Sequence, residues 1–464
     1  MKTSNGSLSR RRLFKKGAAA AAGTALISRS APAFGQAPAV VTARTFRAWI
    51  SRGTGRGRTT LQEVRLRPIT GRQVVVRTEA CNLCYSNVGA VLGIQPAPPA
   101  TGPSTPVNAG LIGANTNDMA LIQGHGGVGV VEAVGPEVRR VQVGDRVCVS
   151  GTPQCGACYH CLRGRADVCQ LLGRNLAGDL VPVADLRDGT PVYANSHIGG
   201  LAELMITPED WVVPVVTKAN AVDLGMVLSC VSVAGLGATT SGTLAVVAPG
   251  SVVAVVGCGP LGLSAVQGAR ITGASTIIGI DPIKVRRELA MKVGATHVLD
   301  PNVEGDGLIE RVRSLSNGPT NRAWSGGRDS GGRRSGAGAD FVVEAAGADF
   351  VRPKLEAGPD PTGILPMQQA YQMCNAGGHV VTTGLVRGTI ALPAFLFAIG
   401  GISHSGGQAG GANPMRDIPR FVAMLDGGQY DAKALATRVV PLLDMLGAYE
   451  EVAYRTTVTA IMTG

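Results

Sequence analysis

Hydrophobic runs long enough to cross a membrane are missing from this 464-residue chain. The apolar stretch from about Gly17 to Ser28 falls short of the roughly 20 residues a spanning helix needs, and nothing later looks transmembrane. Charge is scarce as well. Charged residues make up 16% of the chain against 45% hydrophobic, which excludes a disordered polyelectrolyte. With 65 glycines the composition reads as globular and rich in tight turns. Acidic residues are absent from positions 1–37, which carry Lys2, Arg10, Arg11, Arg12, Lys15, Lys16 and Arg29. Setting that segment aside leaves +4 of the formal net charge of +11. Aromatics are only 4%, and the later basic patch (Arg322, Arg328, Arg333, Arg334) lies in a glycine-rich loop without stacked aromatics. Nucleic acid is therefore not an expected partner.

What is present begins with a leader. A basic head, an apolar run and small residues before a break form an export-signal pattern. Ser9-Arg10-Arg11-Arg12-Leu13-Phe14-Lys15 resembles the twin-arginine signal, a receptor-read address for proteins exported already folded. The expectation is a signal peptide over 1–37, cut after Ala33 or Ala37, recognition by the twin-arginine export machinery, and a periplasmic or other extracytoplasmic location. Stable membrane insertion is not expected.

The rest is long enough for two domains with substantial cores. "VRLRPITGRQVVVRTEACNLC" and "GVGVVEAVGPEVRRVQVGDRVCVS" alternate apolar and polar residues between glycine turns, which predicts β-strands. From about Ala221 apolar runs alternate with helical periods, which predicts βαβαβ and a parallel sheet. Long insertions near 95–118 and 313–338 interrupt the pattern, and the chain has no internal repeat. From about Ala409 it is expected to return to the first domain.

Gly257, Gly259 and Gly262 form G-x-G-x-x-G between an apolar strand and an amphipathic helix, with Asp281 at the end of the next strand. The first glycine permits the tight turn, the second admits a pyrophosphate, and the third lets helix and strand pack closely. Asp281 is expected to accept hydrogen bonds from a ribose and to repel a 2′-phosphate, favouring NAD. Lys284 and Arg286 lie beside the same site and soften that preference.

Cys155, Cys158, Cys161 and Cys169 follow C-x2-C-x2-C-x7-C spacing. Two disulfides in so short a span would need cramped loops, whereas two C-x2-C steps suit a tetrahedral thiolate site. Four thiolates leave no place for water, so such a site is structural. A catalytic zinc needs three ligands and an open position, with Cys84, His125 and Cys230 as candidates. Taken singly, each has a blander reading that spacing favours: a core residue for the cysteines and a turn residue for His125.

Taken together these motifs resemble the zinc-containing medium-chain alcohol dehydrogenases, over nearly all of the chain after the leader. In that family a Cys-[HY]-[ST]-Asp-like turn gives the first catalytic ligand, matching Cys84-Tyr85-Ser86-Asn87. A Gly-His-Glu motif gives the second, matching Gly124-His125-Gly126, and a cysteine ahead of the coenzyme domain gives the third, matching Cys230. The four-cysteine lobe holds a second zinc. The resemblance implies an α/β fold: a GroES-like β-rich catalytic domain (38–231), a doubly wound Rossmann domain (232–408) and a C-terminal return (409–464). It also implies two zincs per chain, hydride transfer between an alcohol or aldehyde and NAD, Ser86 carrying the proton, and a homo-oligomer. One segment, "SAVQGARITGASTIIGIDPIKVRRELAMKVGATH", resembles the subgroup that holds NAD tightly.

Three departures stand out. Gly126 replaces the usual acid, Asn87 replaces an aspartate and so weakens hydrogen-bonded support for the ligands, and Gly89 stands where some members carry a relay histidine. Cys81 reads as a bystander, and Cys148, Cys258 and Cys374 as core or loop residues. The competing readings are a zinc-free reductase of the same superfamily and an exported homologue that binds zinc or nucleotide without turnover.

Overall fold

The computed structural model describes residues 44–464 apart from 54, 95–117, 176–179, 317–336, 387 and 393. The leader, and nearly all of both long insertions, therefore lie outside the described residues.

The first part is built of β-structure, as the alternation predicts. Thr45–Ser51, Thr59–Leu66, Pro182–Asp185, Pro191–Ala194 and Ala120–Ile122 close into a small barrel. Its interior is filled by Phe46, Ile50, Val64, Ile122 and Val192. Beside it runs a seven-stranded sheet centred on Gln73–Asn82, whose partners are Gly127–Val134, Leu204–Pro208 and Ala460–Thr463. The last of these pairs Met462 with Cys81, so the end of the chain does return to the sheet formed near its beginning.

From Val252 the pattern changes as expected. Six strands lie parallel in the order His297–Leu299, Thr276–Ile280, Val252–Val256, Ala339–Glu344, Cys374–Thr382, Ser403–Gly406. In chain order that is 3-2-1-4-5-6, the doubly wound arrangement with its switch point beside Val252–Val256. Val252–Val256 and Thr276–Ile280 are buried at every position, because helices cover both faces of a parallel sheet.

Two buried helices, Ala221–Val227 and Cys230–Thr240, join the two regions. The division expected after residue 231 falls inside the second of them. Tyr430 pins this helix to the next: its hydroxyl lies 2.9 Å from Ser232 Oγ and 2.8 Å from Ser264 Oγ of the helix Pro260–Ile271. Among the described residues no single helix is long and apolar enough to cross a membrane. The two joining helices together would be, but they bend by 52°.

Candidate active site and dinucleotide cleft

Cys84 follows the central strand Gln73–Asn82 and opens the tight turn Tyr85–Asn87. His125 sits between the strands Ala120–Ile122 and Gly127–Val134. Cys230 is the first residue of the helix Cys230–Thr240, whose start is fixed by Ser229 Oγ accepting from the Ser232 N–H. The three ligand atoms lie within 4.8 Å of one another, so the fold gathers the three residues that spacing alone left open. Cys230 Sγ lies 3.2 Å from Cys84 Sγ. Donation from the Cys230 thiol holds Cys84 well below the ordinary thiol range and pushes Cys230 well above it. Ser86 Oγ faces the same point, 3.2 Å from Cys84 Sγ and 3.4 Å from His125 Nε2.

Asn87 does support the histidine. Its Oδ1 accepts from His125 Nδ1 at 2.5 Å, so the amide orients the imidazole as a carboxylate would, though without charge. In the neutral ring, a proton on Nδ1 leaves Nε2 bare and turned toward the two sulfurs. Two sulfurs, one unprotonated nitrogen and one side left free match the donor set of a catalytic zinc. Cys81 does not join the cluster; its thiol donates to the Gly126 carbonyl at 3.0 Å. Cys148, Cys258 and Cys374 are buried, as core residues would be.

The other four cysteines also converge. Cys155 and Cys161 sulfurs are 3.9 Å apart, as are those of Cys158 and Cys169. A tetrahedral zinc with Zn–S near 2.3 Å places its sulfurs about 3.8 Å apart, whereas a disulfide needs about 2.05 Å. Burial opposes ionisation of Cys158, but main-chain donation from Gln170 and Cys161 draws its thiol down to about 6. The geometry suits a closed metal site.

The glycine loop runs along one wall of a cleft that reaches Cys84 and Ser86. Gly257 has φ +92°, and a Cβ on Gly262 would lie 1.8 Å from the Gly257 carbonyl oxygen, so both positions need glycine. Gly259 caps the helix Pro260–Ile271, leaving that helix start open to a phosphate. Asp281 lines the cleft but is already engaged: its carboxylate accepts from the N–H groups of Cys258 and Ile283, both at 2.8 Å. These bonds hold it rigid and leave lone pairs for a ribose. Arg286 is buried at the same place, with Nη1 3.8 Å from Asp281 and burial lowering its pKa.

Sequence reasoning missed three residues of this cleft region. Glu344 ends the strand Ala339–Glu344, fully buried, with Oε1 accepting from Ala346 N–H at 2.8 Å. Burial pushes its carboxyl up to about 7. Asp349 and Arg455 form an ion pair in the cleft wall. Asp349 and Arg455 belong to no motif; the run "VVEAAG" marks a buried strand end, and an acid there is the one available hint.

An open three-ligand cluster beside a dinucleotide cleft is the layout of an oxidoreductase that moves a hydride. Comparison with known proteins agrees. Residues 70–217 match the family described as "Alcohol dehydrogenase GroES-like domain", and residues 260–358 match "Zinc-binding dehydrogenase". The protein Alcohol dehydrogenase-like 6 of Arabidopsis thaliana is 29% identical over 309 residues, 66% of this chain and 71% of that protein. The NDMA-dependent alcohol dehydrogenase of Amycolatopsis methanolica is 28% identical over 344 residues, 71% of this chain and 81% of that one. The crystal structure of benzyl alcohol dehydrogenase from Acinetobacter calcoaceticus shares the fold. Its TM-score is 0.69 at 22% identity, covering 90% of this chain and 99% of that one. The chain belongs to the zinc-type medium-chain alcohol dehydrogenase family.

Proposed function

We propose that this protein is an alcohol dehydrogenase with two zincs per chain, which passes a hydride between an alcohol or aldehyde and NAD. The observation that carries this reading is the convergence of Cys84, His125 and Cys230 with Ser86 at the end of the glycine-loop cleft. Zinc in the open site supplies Lewis acidity toward an alcohol or carbonyl oxygen, and NAD supplies the hydride acceptor. Ser86 Oγ would relay the hydroxyl proton of the alcohol, accepting it while passing its own proton to water or the cofactor ribose as the carbon gives up the hydride, and the reduction would run the same relay in reverse. Asn87 holds the His125 tautomer, while Asp281 orients the ribose and the start of the helix Pro260–Ile271 receives the pyrophosphate.

The same proposal includes export of the folded protein by the twin-arginine route, on the strength of the Ser9–Lys15 pattern. Outside the cytoplasm free coenzyme is scarce, so the enzyme keeps its NAD through turnover and regenerates it with a second substrate or an external acceptor. Assembly into a homo-oligomer belongs to the same reading.

The test is the zinc and nicotinamide content of the mature protein, released by denaturation and measured by mass spectrometry. About two zincs and one NAD per chain are expected. A protein lacking zinc, or one that gains activity only from freely added NAD, removes the corresponding part of the proposal.

A further inference from the structure

Arg455 follows the helix Met445–Ala453 with φ +58°, in the left-handed region that residues with a side chain rarely adopt. What holds it there is contact on two sides. Its guanidinium stacks over the Tyr85 ring, 4.7 Å from the centroid, and pairs with the Asp349 carboxylate. Both charged side chains are largely buried, at 15% and 17% exposure. Tyr85 is held in turn: its hydroxyl accepts from the Phe350 N–H at 2.8 Å, and its ring meets Phe350 edge-on at 5.4 Å.

Three segments far apart in sequence thus meet at one point. Tyr85 adjoins the ligand Cys84; Asp349 and Phe350 follow a strand of the parallel sheet; Arg455 comes from the C-terminal return. All four residues line the cleft that also holds Gly257 and Asp281. The Nε donor of Arg455 is buried without a hydrogen-bond partner among the described residues, as is Nε of Arg286. A buried guanidinium whose Nη2 pairs with a carboxylate and whose face lies on a ring still offers that N–H to an anionic ligand.

We propose that Tyr85, Arg455 and Asp349 form a clasp across the dinucleotide cleft that slows the release of bound coenzyme. This rests on the NAD reading above and supplies the device that retention needs. The clasp joins the metal-bearing turn to the coenzyme sheet, so widening the cleft separates a buried ion pair and leaves each charge uncompensated. The cost falls on opening and therefore on the off-rate, not on the hydride step.

The experiment uses the full chain loaded with NADH. Release is followed by the loss of NADH fluorescence after mixing with a large excess of NAD. Arg455→Lys, which keeps charge but loses the planar fork, and Asp349→Asn, which keeps shape, are each expected to speed release at least tenfold. The double variant is expected to be no faster than the quicker single one, because both open the same clasp. Arg438→Lys, in an exposed pair with Glu451, is the control that leaves release unchanged. Unchanged release in both single variants with normal thermal melts, or single effects that multiply in the double variant, overturns the clasp while the dehydrogenase reading stands. A wild-type protein that binds no NADH overturns both.

Discussion

The two cysteine clusters differ in where their ligands come from. The closed one takes all four from residues 155–169, in a lobe of short turns whose own N–H groups point at the sulfurs. The open one takes its three from residues 84, 125 and 230, on a strand-end turn, a loop between strands and a helix start. The closed site depends on local chain geometry and needs only its own segment to be right. The open site is correct only when the sheet, the barrel and the joining helices are all in register. A closed shell stabilises; an open one, aimed by the whole fold, is available for chemistry.

The comparison breaks most visibly if the clusters are exchangeable in effect. Cys84→Ser is expected to abolish turnover and lower bound zinc from two to one per chain, with circular dichroism unchanged. Cys161→Ser also removes one zinc, but lowers the unfolding midpoint by roughly 5–10 °C while part of the activity survives, at about 2–4 °C per kcal/mol for domains of this size. If both variants lose activity and stability alike, the division of labour is wrong.

Glu344 gives a background that both clusters should share. Its carboxyl rises from the ordinary 4.5 to about 7 on burial. The folded protein therefore favours the protonated form. The associated stability is full below pH 4.5 and is lost as pH rises to 7, a change on the order of 3 kcal/mol. Glu344→Gln should flatten that stretch of the stability–pH curve equally in zinc-loaded and chelated protein. A flattening seen only with metal bound would tie Glu344 to the clusters. The smallest effect is expected at Asn87, whose bond to His125 exists only at the open site. Asn87→Ala should weaken zinc there by about 10–100-fold, read by chelator competition, with the four-cysteine site unmoved.

Much of this was legible in the sequence because it is written locally. The four-cysteine spacing, the glycine loop and the alternating strands each depend on neighbours a few positions away. The open cluster was legible only through family resemblance, since nothing in the run around Cys84 says which histidine it will meet. What Asn87 touches was not legible, because the amide oxygen 2.5 Å from Nδ1 belongs to the fold. Arg455 was invisible for the same reason. Its meaning lies in Tyr85 and Asp349, hundreds and about a hundred positions away.

The pairing of Met462 with Cys81 has a consequence for the order in which the molecule assembles. Contacts so distant in sequence must wait for a loop closure of hundreds of residues, whereas the turns of the lobe close within a few residues. The strand leading to Cys84 gains its last neighbour late, after the lobe is complete. A metal ion added during refolding is therefore expected to fill the four-cysteine site before the three-ligand one, which time-resolved metal uptake would show.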